Sequence, residues 1–354
     1  MPETYRQTNR RLYELDGLRA LAILIVMAFH FFQRFPTYYP YGDEILSFAR
    51  YGYLGVDLFF VISGFVIALS IQNANGVLHF AYKRWTRLWP AMFVCSVMTF
   101  LVMHLISTDF TAFRRTGFES FLPSLTFTDP SVWSRFAPDA KFQYIDGAYW
   151  SLFVEVRFYF WAAVIGSISK SDQFGRNAVL FFAAAFAAYQ LAQGFGYEGI
   201  EATLSLLFFP QYLHLFCAGI LFCDAWNGKN PRFFYPAIGI CFVVTFYLSD
   251  NVAQTIITFV WFILFSVLIY APSYLALFRF RPLVWIGVIS YPLYLLHQNI
   301  GVALISLAPA GWDNVAYLVL VSGVSTLLFL LASVLHFWVE KPIQNALRHY
   351  VSAL

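Results

Sequence analysis

The stretch D-G-L-R-A-L-A-I-L-I-V-M-A-F-H, residues 16–30, decides the fold. Arg19 and His30 are separated by ten apolar residues, Ala20 to Phe29, with no other ionisable side chain between them. At ~100° per residue, eleven steps make about three turns, so both side chains project from nearly the same helix face. At ~1.5 Å per residue they lie roughly 16 Å apart along the axis, about half of an apolar bilayer core. An Arg near one end and a His well inside are expensive to build in lipid. The pair therefore marks a site inside a membrane helix.

Composition supports the membrane reading across the whole chain. Its 354 residues are 60% hydrophobic, 21% aromatic and only 12% charged, with a mean hydropathy of +0.65. Soluble domains carry about 25% charged residues, so a conventional soluble α/β enzyme is excluded. Cys95, Cys217, Cys223 and Cys241 all fall in apolar stretches, and no CxxC or Cys/His spacing occurs. Disulfides and a metal site are therefore not expected. The basic N-terminus leads into the first span without a small-residue cleavage site, so no cleavable signal peptide is read.

The predicted architecture is all-α and polytopic, a bundle of about ten transmembrane helices forming one membrane domain over 1–354. The expected spans are roughly 15–35, 52–72, 86–106, 148–168, 177–195, 203–225, 232–249, 252–271, 283–307 and 314–338. Basic residues such as Arg6, Arg10, Arg11, Lys83, Arg84, Arg87, Arg279 and Lys341 collect on one side. The short loops opposite carry Asp43, Glu44, Glu198, Glu201, Asp250 and Asp313. By the positive-inside rule both termini are cytoplasmic. Residues 107–147 form a long outer connection, either a lid or acceptor-binding element or an ordered cap without chemistry.

This orientation sorts the buried polar groups by depth. His30, Asp57, Glu155 and His297, from four separate spans, share one band in the outer half, with Ser63 near the middle of its helix. Intramembrane charges normally pair with one another or face a wet cavity. Asp57 either caps its helix or orients His30, and Glu155 is either functional or paired with nearby Arg157. His297 is assigned a supporting hydrogen bond, whereas His214 and His336 are read as structural. Tyr149 and Trp150 fit an interfacial aromatic belt, although sugar stacking would use the same residues. On the cytoplasmic side, Arg84 and Arg87 lie one helical turn apart and serve either as membrane anchors or as a phosphate site. Arg19 at the same level favours the phosphate reading. A cytoplasmic phosphorylated donor and an outer acceptor would suit this layout, with a carboxylate-oriented His as general base.

The chain resembles the acyltransferase-3 family of integral membrane acyltransferases. Residues 16–30 fit that family's R-x10-H motif, and G-V-D-L-F-F-V-I-S-G-F (55–65) carries its Ser-Gly-Phe. The likeness continues through K-R-W-T-R-L-W-P (83–90), A-Y-W-S-L-F-V-E-V-R-F-Y (148–159), I-S-Y-P-L-Y-L-L-H (289–297) and F-W-V-E-K-P (337–342). The resemblance implies an O-acyltransferase that uses cytoplasmic acyl-CoA, usually acetyl-CoA. The implied acceptor is a cell-surface carbohydrate such as O-antigen or exopolysaccharide, and the implied location is the bacterial inner membrane. It makes His30 catalytic with Arg19 as its motif partner, Glu155 the motif carboxylate and Arg84 with Arg87 the donor site. Ser63 is in the Ser-Gly-Phe motif. No appended soluble domain is expected. The alternative is a proton-coupled transporter or flippase of a glycan or lipid-linked intermediate, using His30, Asp57, Glu155 and His297 as a relay.

Overall fold

A computed structural model describes residues 11–73, 76–229 and 231–352. Arg6 and Arg10 of the basic N-terminus lie outside the described residues. In chain order the helices are α1 (Tyr13–Phe32), α2 (Gly55–Gln72), α3 (Val77–Leu105), α4 (Asp109–Arg114), α5 (Phe121–Thr126), α6 (Pro130–Phe136), α7 (Trp150–Ile168) and α8 (Phe174–Gly194). They continue as α9 (Glu198–Phe208), α10 (Leu213–Trp226), α11 (Pro231–Leu248), α12 (Val252–Tyr270), α13 (Arg281–Val288), α14 (Ser290–Ile305), α15 (Asn314–Val334) and α16 (Lys341–Ser352). There is no strand among the described residues.

Among the described residues, seven helices are long and apolar enough to cross a membrane, or up to nine if each of two bent pairs is one span. The predicted helix 177–195 is present as α8 but is not among those nine, because Arg176, Asn177, Gln190 and Gln193 dilute its apolar content. The two bent pairs replace predicted straight helices, and their causes are local. Phe209 ends α9 in the left-handed region with φ 47°. Pro210 follows it, and the chain turns by 50° into α10. A residue before proline is disfavoured in the α conformation, so the helix ends there. Between α13 and α14, Ile289 leaves helical geometry with ψ 3°, and Pro292 sits in the new first turn, where a missing N–H costs nothing. The bend is 73°.

The chain divides into two compact units. The first comprises residues 1–22, 54–82 and 154–284, and the second residues 23–53, 83–153 and 285–354. In the first, α2 packs closely on α10 because both present glycine at the crossing. A Cβ on Gly64 would strike the Phe216 carbonyl. Small residues at such crossings let backbones approach and gain packing energy. In the second unit, Gly301 on α14 leaves room for the Phe31 ring, which a Cβ would meet. His297 lies one turn before Gly301, so the same contact brings the end of α1 to the polar stretch of α14. The long connection folds as α4, α5 and α6, with a capping box between Thr108 and Thr111. The Ser306 hydroxyl anchors it, donating to Thr108 Oγ1 at 3.0 Å.

Candidate active site

His30 is in the last turn of α1, and His297 is midway along α14. Their exposures are 8% and 0%. Nδ1 of His30 lies 3.1 Å from Nε2 of His297, with the rings edge-on. Neighbouring carbonyls decide the tautomers, because a carbonyl oxygen can only accept. Nδ1 of His297 is 2.7 Å from the Tyr294 carbonyl, so it carries the proton and Nε2 is left as the acceptor. Nδ1 of His30 is 3.0 Å from the Val26 carbonyl, so its N–H is shared between that oxygen and His297. With both rings neutral, the lone pair of His30 resides on Nε2, the nitrogen able to take a proton from a hydroxyl. At Nδ1 the orienting part expected of a carboxylate is taken by His297.

The backbone around His30 is also held. Tyr39 donates to the His30 carbonyl and accepts from the Phe35 N–H at 3.0 Å, and Tyr41 donates to the Phe31 carbonyl. These bonds satisfy carbonyls that a helix end leaves without intrahelical partners. On α14, the Asn299 N–H donates to Asp146 at 2.9 Å and the Asn299 amide donates to the Ile145 carbonyl at 2.9 Å. The second Asp146 oxygen accepts from the Ala148 N–H at 2.8 Å. Burial pushes the Asp146 carboxyl up to about 6, against its backbone hydrogen bonds and the Arg114 charge. Tyr294 shares a hydrogen bond with Ser151 at 2.7 Å. Tyr149 corrects the sequence expectation: it is fully buried and donates to the Leu295 carbonyl at 3.2 Å, so it is core rather than belt. Trp150 opens α7 and is half-buried.

The first unit holds a second constellation. The Ser63 hydroxyl donates to Glu155 Oε1 at 2.7 Å, and Tyr159, one turn along α7, donates to the same oxygen. Arg157, the alternative partner for Glu155, lies 4.5 Å over the Phe209 ring. Asp57 is buried in the first turn of α2. Its place in the first turn suits the positive end of the helix dipole.

The predicted phosphate residues divide between the units. In the first, Arg19 pairs with Asp16 at 3.2 Å, and Arg11 reaches the same carboxylate at 2.8 Å. Arg279 donates to Glu14 at 2.7 Å. Arg84 and Arg87 are half-buried on α3 in the second. His336, for which the sequence offered no partner, contacts buried Glu340 at 2.9 Å. Cys95, Cys217, Cys223 and Cys241 are free and buried. Among the described residues no group of His, Cys, Asp and Glu could hold a metal ion.

Sequence reading missed Asp146, Gln298 and Asn299. The signal available was the run His297-Gln298-Asn299, three polar residues in succession within an apolar helix.

The profile of the acyltransferase-3 family, described as an acyltransferase domain, matches residues 12–334. Over 104 residues the chain is 35% identical to the peptidoglycan O-acetyltransferase OatA of Listeria monocytogenes, covering 28% of this chain and 15% of that protein. It is 29% identical to an O-acetyl transferase of Shigella phage Sf6, over 40% of this chain and 41% of the relative. The acyltransferase MdmB of Streptomyces mycarofaciens is 32% identical over 36% of this chain and 30% of its own length. The chain thus spans less than half the length of these relatives. No solved structure matches it.

Proposed function

The chain belongs to the acyltransferase-3 family, and we propose that it is a membrane O-acyltransferase moving an acyl group from cytoplasmic acyl-CoA to a hydroxyl of a cell-surface carbohydrate. Acetyl is the proposed group, because the Listeria and phage relatives are named for O-acetyl transfer. The peptidoglycan named for the Listeria relative supports a carbohydrate acceptor, with O-antigen or exopolysaccharide as examples. The proposed location is the bacterial inner membrane, with both termini in the cytoplasm. The observation that carries the reading is the 3.1 Å approach of His30 Nδ1 to His297 Nε2, which together with the Val26 and Tyr294 carbonyls assigns the lone pair of His30 to Nε2.

In the proposed reaction Nε2 of His30 takes the proton of the acceptor hydroxyl as its oxygen attacks the thioester carbonyl. The carbon–sulfur bond breaks, and the leaving CoA thiolate takes the proton from His30. His297 acts as a positioning residue: its Nε2 holds the Nδ1–H of the imidazolium that forms. Arg84, Arg87 and Arg19 are assigned to the donor phosphates. Glu155, supported by Ser63, and Asp57 are the carboxylates assigned to the reaction, and Trp150 is assigned to stacking on the acceptor.

The test is mass spectrometry of cell-envelope glycans with and without the gene, together with CoA release from acetyl-CoA in isolated membranes. Wild type should add an ester mass and release CoA, and His30→Ala should do neither while inserting at the same level. Substrate movement without CoA release would replace this reading with a transporter.

A further inference from the structure

Two guanidinium groups without a salt bridge of their own lie on this side of the site, Arg34 beside His30 and Arg114 beside Gly147 and Gln298. Arg34 follows α1 and is exposed, whereas Arg114 ends α4 and is half-buried. Among the described residues neither makes a salt bridge, and the buried Nε of Arg114 has no hydrogen-bond partner. The two charges feel each other, and Arg34 is also a charge neighbour of the His30 ring. Burial together with the Arg34 charge depresses the Arg114 pKa, while Asp146 and Tyr38 oppose this. Asp146 is the facing carboxylate, yet both its oxygens already accept backbone N–H groups. The end of the Arg114 side chain crowds Gly147 beside the Gln298 amide, on the same stretch of α14 that holds His297. Holding two like charges together in a part-buried setting is costly unless an anion joins them.

An aromatic ledge runs from the surface to the same point. Phe113 is 60% exposed and stacks on Tyr38 with ring centres 5.5 Å apart and planes 18° from parallel. Behind them Phe110 contacts both Tyr38 and Phe35, and Phe35 lies 6.5 Å from the His30 ring. Flat, half-exposed rings offer a face on which the C–H face of a sugar can lie, with polar groups free at its edge.

We infer that Arg34 and Arg114, with the Tyr38–Phe113 ledge, form an acceptor subsite for an anionic sugar, one bearing a carboxylate or a phosphate beside the hydroxyl to be acylated. This rests on His30 as the base, and it narrows the acceptor from carbohydrates in general to acidic ones. Arg is suited to the task because its fork matches either oxyanion bidentately.

The test uses the full chain in lipid nanodiscs. Its probes are a uronate-bearing oligosaccharide, the same oligosaccharide as its neutral methyl ester, and a sugar 1-phosphate. Binding is measured for wild type, Arg34→Gln/Arg114→Gln and His30→Ala, with CoA release followed in parallel. Wild type should bind at least one anionic probe roughly tenfold or more tightly than the neutral ester, a span set by charge-assisted hydrogen bonds. The double variant should lose that preference while still binding acetyl-CoA as wild type does, and His30→Ala should keep it. The preferred anion tells carboxylate from phosphate. Equal binding of charged and neutral probes, or a preference that survives in the double variant, overturns the subsite. Anion preference without CoA release from any acceptor would instead overturn the acyltransferase reading and leave the subsite standing.

Discussion

Arg11 and Arg19 share the Asp16 carboxylate, whereas Arg34 and Arg114 make no salt bridge among the described residues, and the carboxylate that Arg114 faces is already hydrogen-bonded to backbone. The single Asp16 carboxylate offsets one of the first pair's two charges. The second has charge available for a ligand. In sequence the four look alike, and Arg19 stands out because it belongs to a motif. The difference teaches that a formal charge measures anion-binding capacity only after its internal partners are subtracted. Arg19 keeps its proposed place at the donor phosphates, with part of its charge offset by Asp16.

Four measurements would break or sharpen this contrast. The largest effect is expected at His30, the base beside Arg34. His30→Ala should lower CoA release by about 10²–10⁴-fold, the usual range for a general base, and activity within tenfold of wild type would remove His30 from the reaction.

Next comes Asp146, the carboxylate facing Arg114. Its folded pKa of about 6 lies above the ordinary value, so folding favours its protonated form. The associated stability is therefore full below the unfolded value of about 3.9, and it is lost as pH rises through about 6. The loss amounts to about 3 kcal/mol at ~1.4 kcal/mol per pH unit. Thermal unfolding in detergent from pH 4 to 8 should show this fall in wild type and not in Asp146→Asn. In Arg114→Gln the fall should extend to higher pH, because the cation that favours the charged carboxylate has gone. An unchanged window there would mean that the two groups are not coupled.

The donor-side comparison is a step smaller. Arg84→Ala should weaken acyl-CoA binding by roughly tenfold, as loss of a charge-assisted hydrogen bond predicts, and Arg19→Ala should weaken it as well. If Arg19→Ala left acyl-CoA affinity unchanged, Arg19 would leave the donor site and serve only its pairing with Asp16. Smallest is Ser63→Ala, which removes one of two hydroxyls donated to Glu155. It should cost about 1–2 kcal/mol of stability, read as a fall in melting temperature with insertion unchanged.

Part of the site was legible in residues alone. Ser63 and Glu155 were each singled out by their motifs, but their hydrogen bond was not read from the sequence and appears only in the structure. His297 was recognised as a supporting hydrogen-bond partner, but its target was not, since that depends on how α14 leaves the 73° bend at Ile289. Tyr149 was misplaced because an aromatic at a span boundary carries the same sequence signal whether it faces lipid or core. Arg114 was legible only as one of the basic residues of the 107–147 connection, read as either a lid or acceptor-binding element or a plain cap; its neighbours were not, because the helices there have six or seven residues and no amphipathic run long enough to read.

The amino-acid sequence by itself determined most of the apolar spans, the family and the ten-residue spacing of Arg19 and His30, because solvation by lipid and helix periodicity act residue by residue along the chain. The tertiary structure decided which polar groups meet. The His30 tautomer depends on a carbonyl four residues back and a ring 267 positions away. The difference between Arg19 and Arg114 depends on which carboxylate each meets and on what else that carboxylate already binds. Hydrogen bonds and ion pairs act over about 3 Å, and separation along the chain does not predict separation in space.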